Sequence, residues 1–324
     1  MSQTPGGPDL TGDRGLQSIR EGFFKFVFFS FAAITVITTV AIILTLLVDS
    51  LGFFTRYSIL KFLTGTTWSP NLEPVSFGVL PLVFGTLIVT ITAAVIAVPM
   101  GTLTAIYLSE YATPDTRRTL KPLLEILAGV PTVVYGFFAL AYVTPVIEVV
   151  FEGVGTFNVL SASLMVGIMT IPMVSSISED AMSAVPDSLR EAGYALGATK
   201  FDVTTKVVVP AATSGIVSSY ILAISRAIGE TMIVTIAMGM QPSLPAVRSA
   251  EFFGIGVPYV HPGSVFLESG QTMTAAMVQI ASGDLAGGTV AYNSLFAIGL
   301  TLFVITLLMN VVSNVISERY REEY

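Results

Sequence analysis

Apolar residues in this chain come in long unbroken runs, not at the three-and-four spacing of a soluble helix or the alternation of a half-buried strand. Six runs reach the ~20 residues that a helix needs to cross a bilayer. They lie at about Phe23 to Val48, Gly78 to Leu108, Leu123 to Val150, Val159 to Met182, Gly215 to Gly239 and Tyr292 to Ile316. Pro99, Pro131, Pro145 and Pro172 interrupt them. Membrane helices tolerate proline where neighbours satisfy the freed backbone groups. The pattern predicts an all-α integral membrane protein with six transmembrane helices, and its continuity argues against a β-barrel.

The polar stretches between the runs orient the chain. With the N-terminus inside, Arg14, Arg20, Lys25, Arg117, Arg118, Lys121, Arg190, Lys200, Lys206, Arg319 and Arg321 fall on the cytoplasmic side, and only Arg56, Lys61 and Arg248 fall outside. Eleven against three is the bias of a cytoplasmic face. Both termini are therefore expected in the cytoplasm of a multi-pass cell-membrane protein. Residues 1–22, polar and rich in Gly and Pro, read as a disordered cytoplasmic tail. The membrane domain covers 23–317, and 318–324 form a second cytoplasmic tail. The first apolar run is too long for a cleaved signal peptide. The outer loops are 49–77 and 240–290. Within the second, "SGQTMTAAMVQIASGD" predicts a short helix at the outer surface.

Composition sharpens this picture. Hydrophobic residues make up 53% and charged residues only 11%, against about a quarter charged in soluble domains. Mean hydropathy is +0.79. A net charge of −7 argues against a nucleic-acid surface. There is no cysteine, which removes thiol chemistry, and a single histidine, His261, cannot build a usual zinc site. No metal or cofactor is expected. His261 reads as an exposed loop residue.

Two charges stand inside the fifth run, "ILAISRAIGETMIVTIAMG". On one helix Arg226 and Glu230 would be a turn apart, about 6 Å along the axis on one face. Each costs roughly 2.5–3.5 kcal/mol at the bilayer centre, so they must face the bundle or a wet cavity, where they are placed to neutralise each other in part. One reading is an ion pair that locks helix five. Desolvation makes such a pair a weak source of stability. The other is a substrate pathway, with Ser225 and Thr231 supplying hydroxyls beside the charges. Glu125 reads as a carboxylate reaching the headgroups from the inner end of helix three. Trp68 reads as an interfacial anchor or as part of an outer contact. Pro131 and Tyr135 read as helix packing.

The loop Pro186 to Pro210, within the coupling segment 183–210, predicts a short amphipathic helix. Pro186 and Asp187 suit its start, Leu189, Ala192 and Leu196 share a face, and Gly197 stops it. It resembles the EAA motif of ABC-importer permeases: Glu-Ala-Ala, three residues, Gly, nine residues, Ile, one residue, Leu-Pro. Here the positions hold Glu191, Ala192, Gly193, Gly197, Val207, Val209 and Pro210. Gly193 replaces the second Ala, and Val replaces Ile and Leu.

Further stretches are similar to the PstC-type permeases of phosphate-specific ABC transporters: "FGVLPLVFGTL" from Phe77, "LEILAGVPTVVYGFFAL" from Leu124, "SISEDAMSAVPDSLREA" from Ser176 and "SRAIGETMIVT" from Ser225. The resemblance implies a type I ABC-importer permease (MetI-like) fold, with a five-helix core, one extra N-terminal helix and a cytoplasmic coupling helix. It implies a permease subunit of an ATP-driven phosphate importer, with a PstA-type sister permease, a PstB-type ATPase dimer, a PstS-type binding protein and surrounding lipid. It implies no catalytic residue in this chain. The sequence contains no P-loop of its own. In that setting Arg226 meets the oxyanion, Glu230 orients it, and Glu191, Ala192, Gly193, Gly197 and Pro210 belong to the ATPase coupling loop. An importer of sulfate, molybdate or phosphonate, and a stand-alone proton-coupled anion carrier, remain open alternatives. An intramembrane enzyme lacks its constellation of residues.

Overall fold

The computed structural model describes residues 14–71, 73–245, 247–252, 255–283 and 286–319. The first helix, α1 (Arg14–Phe54), begins well before the apolar run. Residues 14–22 thus extend it and are not a disordered tail; the rest of the predicted tail lies outside the described residues. Along its hydrophobic stretch α1 buries nothing within the chain. Phe26, Phe28 and Phe29 stand two-thirds exposed, as suits a helix solvated by lipid.

At the end of α1 the chain closes an aromatic cluster. Phe53 meets Phe62 of α2 (Ile59–Thr64) and Phe77 edge-on at 5.7 and 5.4 Å. Trp68 packs on Phe77 at 5.9 Å. Two short strands, β1 (Trp68–Ser69) and β2 (Ser76–Phe77), pair antiparallel and bring those rings together. Trp68 is 5% exposed. It is a core residue, and this corrects both readings made of it from sequence. Its large apolar ring gains more from the cluster than from an interface.

The second apolar run becomes α3 (Leu80–Ile106), extended by a π-helical turn, Tyr107–Tyr111. The third run does not form one helix. α4 (Pro114–Gly129) is a separate amphipathic helix, and the chain breaks at Val130 and Pro131 before α5 (Thr132–Phe138), a π turn and α6 (Thr144–Val150). Proline without an N–H, and its bias against helix in the residue before it, explain the break. Tyr135 spans it: its hydroxyl donates to the Leu127 carbonyl at 2.8 Å. Leu123 to Gly129 therefore belong outside the span Thr132–Val150.

α7 (Val159–Ser183) is the centre of the bundle, with 61% of its apolar window buried. It packs along α3 through small residues. A Cβ added at Gly101 would lie 2.6 Å from Val174 Cβ, and one at Gly167 would lie 3.1 Å from Ile96 Cβ. Close approach of this kind is how helices associate in lipid, where apolar contact alone gives no preference. Several buried hydroxyls are satisfied inside their own helices, as when Thr86 donates to the Leu82 carbonyl at 2.8 Å.

After α7 come α8 (Asp187–Ala195), α9 (Lys200–Val203), a π turn, α10 (Val209–Ala211) and α11 (Thr213–Ile228). The α9–α10 segment meets α11 at a 69° bend. A short helix, α12 (Met232–Ala237), follows a break. The loop 240–290, expected on the outer side, holds a hairpin, β3 (Val247–Phe252) with β4 (Ile255–Val260), which the apolar pattern did not announce. Next are α13 (Pro262–Phe266), α14 (Met273–Ser282) and α15 (Val290–Arg319). His261 is exposed and caps α13, its Nδ1 accepting from the Gly263 N–H at 3.1 Å.

α14 is not on the surface. Met273, Ala275 and Ala276 are fully buried. A Cβ at Gly85 of α3 would strike the Gln271 carbonyl oxygen at 2.2 Å, so glycine there lets the segment enter. Among the described residues, five helices are long and apolar enough to cross a membrane, and a bent pair makes up to six.

Candidate functional site

The fifth apolar run breaks in its middle. α11 stops at Ile228, with Gly229 as its C-cap. Glu230 then turns its carboxylate forward: Oε1 accepts from the N–H groups of Met232 and Ile233 at 3.1 and 3.2 Å. A helix start leaves such donors without partners, and a buried carboxylate satisfies two of them. Glu230 is 7% exposed. Its own carbonyl accepts from the Thr274 hydroxyl of α14 at 2.7 Å, while Thr86 of α3 accepts from the Met273 N–H at 3.0 Å. The predicted surface helix is thus the element that holds the break.

This geometry corrects the one-turn ion pair. Arg226 sits in the last turn of α11 and Glu230 beyond it, committed to α12. Among the described residues the Arg226 guanidinium forms no ion pair; its Nη2 lies 3.8 Å from Met169 Sδ. The guanidinium is exposed on the surface of this single chain. Beside it, Ser225 donates to Asn310 Oδ1 on α15 at 3.1 Å. Thr231 donates to the Gly229 carbonyl at 3.1 Å. Ser225, Arg226, Glu230 and Thr231 therefore share one helix break, but Glu230 does not orient Arg226. Toward the other end of α12, Thr235, Gly239, Gln241, Phe157 and Glu268 line an open cavity of about 1000 Å³.

The end of the bundle that carries α4 and α8 holds the second site. α8 starts at Pro186 with Asp187 in its first turn, and Gly197 ends it with φ +80°. The apolar face expected of Leu189, Ala192 and Leu196 is divided. Leu189 packs inward, but Ala192 is exposed and Leu196 is 90% exposed. Gly193 faces inward: a Cβ there would meet Val203 Cγ2 at 3.0 Å. The glycine at this place in the motif sets how closely α8 lies on α9. Glu191 is exposed, and Pro210 sits in the first turn of α10.

Beside α8, two ion clusters that sequence reasoning missed tie this end of the bundle together. Glu179 of α7, fully buried, receives Arg117 and, at 2.6 Å, Lys121, both from α4. Lys121 also reaches Asp180 at 3.0 Å. Hydrogen bonding to Glu179 holds the Lys121 ammonium above its ordinary value of 10.5, with burial opposing. The signal was present, since Glu179 and Asp180 interrupt an apolar run. Arg190 of α8 pairs with Glu110 of the π turn after α3 at 3.1 Å. Glu125 lies exposed on α4, in a cleft of about 480 Å³ with Arg117, Arg118 and Lys121, and not on the span where it was expected.

Residues 97–322 match the family described as binding-protein-dependent transport system inner membrane component. A probable ABC transporter permease, YqgH of Bacillus subtilis, is 35% identical over 89% of this chain and 88% of its own. The phosphate transport system permease PstC of Haemophilus influenzae is 31% identical over 93% of this chain and 94% of its own. PstC of Mesorhizobium japonicum is 32% identical over 77% and 75%. Among solved structures, a bacterial ABC transporter for alginate import superposes with a TM-score of 0.62 at 12% identity, covering 96% of this chain and all of that one. The inward-facing MetNI methionine transporter gives 0.52 at 18%, covering 76% and 95%. At those identities the likeness concerns the fold, which is that of a MetI-like importer permease. The chain belongs to the family of binding-protein-dependent transport system inner membrane components and is a permease of the PstC type.

Proposed function

We propose that this chain is the permease subunit of an ATP-driven inorganic phosphate importer and forms half of the translocation pathway. The observation that carries the reading is the Arg226 guanidinium at a helix break, which among the described residues has no ion pair and donates only to Met169 Sδ. An exposed arginine inside an apolar segment cannot face lipid without a large cost. Its face is therefore covered by a sister permease across a wet pathway. A planar guanidinium matches two phosphate oxygens at once. With no carboxylate paired to it among the described residues, it is available to an anion, and Ser225 and Thr231 offer hydroxyls nearby. Relatives named as PstC permeases support phosphate as the anion.

The partners are a PstA-type permease, a PstB-type ATPase dimer that hydrolyses the ATP, and a PstS-type binding protein, all within membrane lipid. The charge bias supports cytoplasmic termini and a cytoplasmic α8. Exposed Tyr194, Leu196 and Phe201 on the α8–α9 loop (44%, 90% and 67%) supply an apolar surface for the ATPase. ATP binding draws the two coupling helices together, and the bundle switches its opening from one side to the other as a rigid-body change. Glu191, Ala192, Gly193, Gly197 and Pro210 form the coupling loop.

The test is uptake of labelled phosphate in vesicles holding the complete assembly, with sulfate and molybdate run in parallel. Wild type takes up phosphate only with ATP, and Arg226→Gln loses uptake while the complex still assembles. Normal uptake by the variant removes Arg226 from the pathway. Uptake of sulfate or molybdate alone keeps the importer and replaces its substrate.

A further inference from the structure

α8 buries none of its residues. Leu189 packs only partly, and Gly193 brings no side chain. Its side-chain hydrogen bonds to the rest of the bundle, among the described residues, run through Arg190. Arg190, 15% exposed, donates to the Met182 carbonyl in the last turn of α7 at 2.8 Å and to the Val185 carbonyl, just past that helix, at 2.6 Å. It also donates to Asp187 at 3.1 Å within α8 and to Glu110 Oε1 at 3.1 Å. The Glu110 carboxylate is 5% exposed and also accepts from the Ser109 hydroxyl at 3.0 Å. One guanidinium thus joins α8, α7 and the π turn that closes α3.

Three facts make this joint more than a local anchor. First, α3 and α7 are the closely packed central pair, and close-packed interiors pass displacement on with little give. Second, Glu110 stands in a π turn, whose extra residue per turn is a local register defect often found at functional sites. Third, the same turn meets the loop again, since the Lys200 ammonium sits 5.0 Å over the Tyr111 ring. The fork geometry is needed. Carbonyls at a helix C-terminus favour a cation, and only a planar guanidinium has enough fixed donors to hold two carbonyls and two carboxylates together.

We infer that Arg190, with Glu110, is the positioning pair that carries displacement of α8 into the α3–α7 core, so that ATP hydrolysis and substrate movement stay linked. This rests on the reading of α8 as the ATPase-docking helix.

The experiment uses the complete assembly in vesicles and measures ATP hydrolysed per labelled phosphate taken up. Arg190→Lys keeps the charge and loses the fork. It retains bound ATPase and raises the ratio severalfold. Glu110→Gln raises the ratio in the same direction, and the double variant is no worse than Arg190→Lys alone, because both changes break one link. Hydrolysis and uptake that fall together at an unchanged ratio overturn the inference, as do additive effects. Should Arg190→Lys fail to assemble, Glu110→Gln decides alone, and an unchanged ratio there overturns it. Leu196→Asp separates the two readings. If the ATPase still copurifies with that variant, the docking reading falls and the transmission role with it. If docking is lost there while Arg190→Lys keeps the wild-type ratio, only the transmission role falls.

Discussion

The Thr274 hydroxyl donates to the backbone carbonyl of Glu230 across 2.7 Å, joining α14 to the break in the fifth apolar segment. The contact is fully interior: Thr274 and Glu230 are each 7% exposed. Thr274→Val keeps the shape and removes the donor. An unsatisfied buried carbonyl costs about 1–3 kcal/mol. The expected result is faster hydrogen exchange at residues 230–233, with Thr274→Ser close to wild type. Unchanged exchange in the valine variant would show that the break is held by something else.

Glu230 caps α12 and does not pair with Arg226. Replacement by alanine should cost about 0.5–2 kcal/mol, the range for a lost cap, while glutamine keeps an accepting oxygen and loses less. A double-mutant cycle of Arg226→Gln with Glu230→Gln should give a coupling below about 0.5 kcal/mol. A coupling well above that value, read from thermal unfolding in detergent, restores the ion pair.

Gly101 permits the contact of α3 with α7. Alanine there places a Cβ 2.6 Å from Val174 Cβ, and overpacking of this kind costs about 1–3 kcal/mol. Gly101→Ala should lower the unfolding temperature of the purified permease, and adding Val174→Ala should recover much of the loss. If the second change brings no recovery, the helices do not meet at this point.

Glu179 draws Arg117 and Lys121 of α4 onto α7. Glu179→Ala leaves two cations without their carboxylate. Because these are 40% and 31% exposed, the cost falls below the ~3–5 kcal/mol of a fully buried broken pair. Limited proteolysis in the 113–131 region should accelerate. The pH dependence has a definite sign. Lys121 is raised above its ordinary 10.5 by its bond to Glu179, so its contribution is complete below that value and is lost only as pH climbs past the folded value. Across the neutral range the cleavage rate attributable to Lys121 should stay flat, and a change near neutrality would place the titration on another group.

Much of the bundle was written in local sequence. Runs of apolar residues from Val159 to Met182 and from Tyr292 to Ile316 became single helices because, in lipid, a continuous apolar stretch satisfies its backbone only as a helix. The limits of α8 followed from Pro186, Asp187 and Gly197, whose backbone preferences act within a few residues. The importer-permease character was legible only through the resemblance of the loop from Glu191 to Pro210 to a known family motif. What the chain alone did not decide was where those helices stop and whom they touch. Whether Leu123 to Gly129 continues a span depended on the break at Pro131 and on the grip of Glu179 on α4. The burial of Trp68 depended on Phe53 and Phe77, which arrive from either side of it in the chain. The partners of Glu230 depended on whether its carboxylate met a guanidinium one turn back or two amide groups ahead. Periodicity places both within reach, and only the helix break at Gly229, held from across the bundle by Thr274, selects between them.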